Sequence, residues 1–140
     1  MKGNFVVDAS VALAWCFKDE ATQQTRELLR RAARETLAAP TIFFLEVANT
    51  LVVAKRKGRI DERDAIEFVG TICDLDWQID PVTANGAFNE LLPLAVEHKL
   101  TVYDASYLLL AMQEDLPLAT LDTKLRVAAK SAGVELLGLD

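Results

Sequence analysis

The hydrophobic pattern changes period repeatedly along the chain. Phe5-Val6-Val7 is an unbroken apolar, β-favouring run that ends at Asp8. Val11, Leu13, Ala14 and Trp15 then open a helical pattern. A short run that is apolar at every position suits a strand buried on both faces, as in a parallel sheet. Such a strand holds Asp8 at its carboxyl end, the edge at which open α/β sheets bind their ligands.

The same reading continues to the end of the chain. Residues 10–17 read as a short helix, Lys18-Asp19-Glu20 as a polar break, and residues 21–35 as a helix with Leu28, Leu29, Ala32 and Ala33 on its apolar side. Leu37-Ala38-Ala39-Pro40 reads as a second strand. Residues 42–57 follow as a helix, with Thr41 as its expected N-cap, Lys55, Arg56 and Lys57 in its last turn and Gly58 as its stop. Asp61 is placed to cap a helix running to about Asp74, and Trp77-Gln78-Ile79-Asp80 is a strand closed by Pro81. Residues 83–98 are helical, with Pro93 expected to kink or split the helix. Leu100 to Asp104 reads as a short extended stretch leading into a helix that ends near Glu114. Leu116 to Leu121 is a strand whose start Pro117 delays, and Asp122 follows it. Residues 123–132 are helical, Gly133 stops them, and Val134 to Leu137 is a last strand. Strands alternating with helices predict an α/β protein with a parallel sheet and helices on both faces.

At 140 residues the chain has the size of one domain, residues 1–140, with no repeat, low-complexity segment or linker. No apolar run approaches the ~20 residues of a membrane span. Met1-Lys2-Gly3 is not a secretory leader, so a cytoplasmic protein is expected. Cys16 and Cys73 lack ligand spacing and read as reduced, partly buried thiols. A net charge of −6 argues against broad nonspecific nucleic-acid binding, but a local basic patch or a metal can offset it.

The candidate chemistry lies in the acids. Asp8 and Asp122 each follow a strand, Asp104 opens a helix, and each is the first polar residue after an apolar stretch. A plain helix-capping role suits an aspartate in that position. Glu46 does not fit that role, because it lies past the cap position among Phe44, Leu45 and Val47, where an unpaired carboxylate is expensive. A divalent cation such as magnesium, which takes carboxylate oxygens and water, explains four acids at one sheet edge more economically.

Four segments carry a resemblance. Val7-Asp8-Ala9-Ser10, Phe44-Leu45-Glu46-Val47-Ala48-Asn49, Tyr103-Asp104-Ala105-Ser106-Tyr107 and Ala119-Thr120-Leu121-Asp122-Thr123-Lys124-Leu125 resemble the four acidic motifs of PIN-domain ribonucleases. In order, total length and spacing they are similar to the VapC toxins of bacterial and archaeal toxin–antitoxin pairs. The resemblance covers essentially the whole chain. It implies a three-layer α/β/α fold with a parallel sheet of about five strands in the order 3-2-1-4-5. It implies an endoribonuclease dependent on Mg²⁺ or Mn²⁺ that cuts structured RNA, such as transfer or ribosomal RNA, and is neutralised by a VapB-type antitoxin. Asp8, Glu46, Asp104 and Asp122 carry over as the acidic quartet and metal ligands. Ser10 and Thr120 match the hydroxyl positions that accompany it, orienting ligands or waters. The resemblance, with more apolar helical surface than one thin sheet needs, points to a homodimer. The antitoxin is expected across the apolar helices near residues 10–35 and 42–57.

Two other functions compete. One is a catalytically silent module of the same fold that binds RNA or an antitoxin. The other is a phosphoacceptor or phosphatase-type domain with Asp8 as nucleophile. Such sites favour a second aspartate two residues on, where this chain has Ser10. His98, beside Glu97 and Lys99 near a helix end, reads as a solvated surface residue. Lys55, Arg56, Lys57 and Arg59 read as a solvated helix end, with a phosphate contact as the functional alternative. Trp15 and Phe17 read as core or interface.

Overall fold

The structure, a computed structural model, describes residues 3–139. Strand β1 (Phe5–Val7) is central and fully buried, as its unbroken apolar run requires. It pairs in parallel with β2 (Thr36–Pro40) on one side and β4 (Leu118–Ala119) on the other. Strand β3 (Asp76–Asp80) pairs in parallel with β2, which gives the order β3-β2-β1-β4.

Val134 to Leu137, expected as a fifth strand, contributes a single parallel bridge, Leu136 to Leu118. The Leu118 amide donates to the Glu135 carbonyl at 2.8 Å and the Leu137 amide to the Leu118 carbonyl at 3.0 Å. The order 3-2-1-4-5 therefore holds, with the last member too short to form a ladder. Its partner β4 is itself only Leu118–Ala119, because Pro117 has no amide to donate.

Helices α1 (Ala9–Cys16), α2 (Gln23–Ala32), α3 (Ile42–Arg56) and α4 (Glu62–Asp74) connect β1 to β2 and β2 to β3. Helices α5 (Leu92–His98) and α6 (Val102–Glu114) carry the chain from β3 back past β1 to β4, and α7 (Thr123–Ser131) follows. Parallel crossovers are right-handed, so reversing the direction of travel across the sheet sends the later helices to its other face. Helix α1 packs on α2 and α3, whereas α6 packs on β1, β2, α5 and α7. The reversal falls between β1 and β4, the switch point at which such sheets open a crevice.

The core interleaves both layers on the sheet. Phe5, Leu37, Phe43, Leu108, Leu118 and Leu125 are fully buried. At the β3 edge, Phe43 and Phe44 pack on the Trp77 ring with centroids 4.9 and 5.3 Å away.

Several local expectations are corrected. Thr41 does not cap α3: it is helical itself, and its hydroxyl turns to the Asp80 carbonyl at 3.4 Å. The 83–98 helix is irregular, and it divides just before Pro93. It runs through a π-helical stretch, Gly86–Leu91, into α5. That wider turn absorbs the amide that Pro93 lacks. His98 is not solvated, its side chain being only 11% exposed. The chain reverses at Lys99, in the left-handed conformation, and the Leu100 amide closes back on the Ala95 carbonyl. Cys16 is half-buried, and burial pushes its thiol up to about 11, but Cys73 lies exposed on α4. Phe17 is buried and Trp15 is partly buried, its indole donating to the Thr25 carbonyl at 2.7 Å.

Candidate active site

The site forms where β1 and β4 end. Asp8 leaves β1 in extended conformation and caps α1, its Oδ1 accepting from the Val11 amide at 3.2 Å. The Ser10 hydroxyl donates to the same oxygen at 2.6 Å, and the Thr120 hydroxyl donates to Oδ2. Both hydroxyls also stitch in the segment after β4. Ser10 Oγ accepts from the Leu121 amide at 2.9 Å, and Thr120 Oγ1 accepts from the Asp122 amide at 3.0 Å. Asp122 in turn caps α7, accepting from the Leu125 amide at 2.9 Å. Two helix starts on either side of the switch point are thus locked together by Ser10 and Thr120.

Capping is real for Asp8 and Asp122 but does not account for the set. Asp104 caps nothing. The stretch read as extended before it is already helical, because Thr101 caps α6 and its Oγ1 accepts from the Asp104 amide at 3.1 Å. Asp104 therefore sits in the first helical turn, its carboxylate near the Thr101 hydroxyl and the Asp122 charge. Glu46 lies one turn into α3, half-buried, and its Oε1 accepts from the Tyr107 hydroxyl at 2.5 Å.

Charge ties these residues into one cluster. Asp8 is 4% exposed, and burial raises its carboxyl from 3.8 to about 6. The Ser10 and Thr120 hydroxyls and the Val11 amide oppose that rise, and the Asp104 charge adds to it. Burial raises Glu46, the Tyr107 hydroxyl opposes, and Asp104 again adds to the rise. Burial raises Asp104, the Asp122 charge adds, and the Thr101 hydroxyl and the Lys124 charge oppose. Burial and the nearby Glu46 push the Tyr107 phenol far above its ordinary range, so it stays a donor. Asp8, Glu46 and Asp122, from three separate segments, thus each lie within reach of the Asp104 charge at one sheet edge. Like charges gathered in partial burial favour a bound cation.

The donor set is oxygen only, which fits a hard divalent cation. Among the described residues no three His, Cys, Asp or Glu side chains close into a ready cage. Magnesium keeps much of its water and takes one or two protein carboxylates. A cleft of about 420 Å³ opens beside the acids, lined by Lys99, Leu100, Thr101, Asp104, Asp122, Thr123 and Lys124. Its lysines lie next to carboxylates, an arrangement able to hold a phosphate against acids that alone would repel it.

Tyr107 is the site neighbour that sequence reasoning missed. Two signals pointed to it: its position one helical turn after Asp104, and the need of a buried phenol for a partner. Lys99 and Lys124 were also passed over. Two of the four basic residues in the 55–59 cluster are engaged elsewhere. Arg59 pairs with Asp19 and Glu20 and lies 3.8 Å above the Phe17 ring, and Lys55 pairs with Glu62 at 2.5 Å. A larger groove, about 670 Å³, lies away from the acids, lined in part by Trp15, Phe17, Leu29, Arg59 and Phe68. Among the described residues no helix is long and apolar enough to cross a membrane.

Comparison with known proteins agrees with this geometry. The family model described as the PIN domain matches residues 5–131. Ribonuclease VapC3 of Pyrobaculum aerophilum is 29% identical over 120 residues, which cover 86% of this chain and 90% of that protein. The crystal structure of PAE2754 from Pyrobaculum aerophilum superposes with a TM-score of 0.69 at 28% identity, over 90% of this chain and 79% of that one. A toxin–antitoxin complex from Klebsiella pneumoniae superposes with a TM-score of 0.56 at 21% identity, over 86% of this chain and 88% of that one, and shares the fold. With the matched residues spanning every strand and all four acids, the chain belongs to the PIN-domain family.

Proposed function

We propose that this protein is a toxin endoribonuclease that cuts structured cellular RNA, such as transfer or ribosomal RNA, with Mg²⁺ or Mn²⁺. The observation that carries the reading is the gathering of Asp8, Glu46 and Asp122 around the Asp104 charge at the switch point of the sheet. The similarity to a protein named a ribonuclease and to a toxin–antitoxin complex supports the reaction class and its biological setting.

Asp8, Asp104, Asp122 and Glu46 would hold the cation. When bound, it supplies charge neutralisation at the phosphodiester and activation of water. Ser10 and Thr120 fix the Asp8 carboxylate from both sides, and Thr120 also holds the Asp122 backbone, so the two aspartates keep their relative placement. Lys99 and Lys124 flank the cleft and bind the RNA backbone. Unpaired or looped regions of RNA suit so open a cleft, since proteins read RNA mainly where bases are unstacked.

A small VapB-type antitoxin would neutralise the enzyme. The groove formed by Trp15, Phe17, Leu29 and Phe68, rimmed by charges of both signs including Lys18, Asp19, Arg59 and Glu67, suits a helix that lays apolar residues into it. It lies between the 15–29 region and α4. Homodimerisation is supported by an apolar cleft of about 360 Å³ that includes the exposed Phe88, Leu92 and Tyr103.

One observation favours the silent-module alternative. Both Asp8 oxygens already accept hydrogen bonds inside the protein. Expression of wild type and Asp8→Asn decides between them. Growth arrest with discrete RNA fragments from wild type alone supports the nuclease. Arrest by both, without fragments, supports a binding module.

A further inference from the structure

Tyr107 occupies the middle of α6, 1% exposed, beside the buried Leu108 and Leu110. A buried phenol hydroxyl normally finds a partner, and this one reaches across 61 residues of sequence to Glu46 Oε1, at 2.5 Å. The two ends of that bond differ in freedom. The tyrosine ring is fixed by core packing, so its hydroxyl has one position. Glu46 is half-buried on a longer, more flexible side chain, and an unanchored glutamate keeps several rotamers. Helix α6 therefore brings Asp104 into the cluster and, one turn later, supplies the group that holds Glu46.

We propose that Tyr107 is a positioning residue for Glu46. Its hydroxyl occupies Oε1 and leaves Oε2 to face the acid cluster, so Glu46 serves the cation, or the cation's water, through a single oxygen. This rests on the metal-nuclease reading above. A hydroxyl that merely satisfies itself in the core would stabilise the fold without touching cation affinity.

Tyr107→Phe keeps the ring and removes only the donor. Mn²⁺ affinity of the RNA-free protein, measured by calorimetry, and kcat for RNA cleavage should each fall about 10- to 100-fold, the usual loss when a partner of a metal ligand is removed. KM for RNA should stay unchanged. In a Glu46→Gln background the same substitution should cause no further loss, because Tyr107 acts through Glu46. A folded Tyr107→Phe with wild-type Mn²⁺ affinity and kcat overturns the proposal, and so does an equal further loss in the Glu46→Gln background. If Tyr107→Phe fails to fold, 3-fluorotyrosine placed at position 107 of the full chain gives a second reading. Its ¹⁹F resonance should shift on Mg²⁺ titration in wild type and not in Glu46→Gln, and a resonance indifferent to Mg²⁺ in wild type overturns the proposal. Wild type that neither binds Mn²⁺ nor cuts RNA overturns the nuclease reading itself, and is seen before any variant is compared.

Discussion

Replacing Asp8 with asparagine should stabilise the metal-free protein at neutral pH. The carboxyl is 4% exposed and raised from 3.8 to about 6, chiefly by burial and further by Asp104. A rise of roughly 2 pKa units corresponds to about 3 kcal/mol by which ionised Asp8 disfavours the fold. The sign is set by the raised value. The folded state binds the Asp8 proton more tightly than the unfolded chain, so stability is highest below 3.8 and declines as pH rises through about 6. Asparagine removes the charge and caps as well as aspartate, so the Val11 amide and the Ser10 hydroxyl keep their acceptor. The amide nitrogen, however, then faces the Thr120 hydroxyl, donor against donor, which costs about 1 kcal/mol of lost hydrogen bonding. The net gain is about 2 kcal/mol, or about 4–8 °C in melting temperature for a chain of this size. Thermal melts in chelator at pH 7.5 and pH 4 read it directly. The variant should melt higher at pH 7.5, and the difference should close at pH 4. Equal melts at pH 7.5, or a gap unchanged at pH 4, would refute the reasoning and return Asp8 to a capping role alone.

Other outcomes follow from the same cluster. Millimolar Mg²⁺ should raise the melting temperature of wild type and raise that of Asp8→Asn much less, since a ligand of the folded state stabilises only what binds it; equal shifts would contradict a site at Asp8. Asp122→Asn keeps the α7 cap and should fold normally, yet lose most RNA cleavage in a gel assay. Because Asp8, Glu46 and Asp104 are all raised, protons should compete with the cation, and cleavage at fixed Mg²⁺ should fall as pH drops through about 6; a flat profile from pH 8 to 5 would count against it. Lys124→Ala should weaken RNA binding about uniformly across sequences and lower the salt slope by roughly one, as measured by titration at several ionic strengths.

What was legible in the sequence was what local pattern encodes. Phe5-Val6-Val7 before Asp8 announced a buried central strand with an acid at its end, and the structure agrees. Glycines 58 and 133 announced helix stops, and both take positive φ. The misses came where a neighbour in sequence offered a competing local solution. Thr101 outbid Asp104 for the α6 cap, which moved the helix start three residues earlier and placed Asp104 inside the first turn. The last strand shrank to one bridge because its partner β4 has so few amides to offer. Tyr107 with Glu46 was out of reach for a different reason. Glu46 stood out among apolar neighbours, but its partner lies 61 residues away, and only the packing of α6 near α3 creates the pair.

The central claim is that the clustered acids cut RNA with a divalent cation, and cleavage by the purified protein tests it most directly. Wild type and Asp8→Asn, freed of any antitoxin, are incubated with transfer and ribosomal RNA in Mg²⁺, in Mn²⁺ and in excess chelator, and the fragments are mapped. Wild type should give discrete cuts in looped regions with either metal and none in chelator, and Asp8→Asn should give none in any condition. Cleavage that persists in chelator, or that survives Asp8→Asn, would contradict the claim.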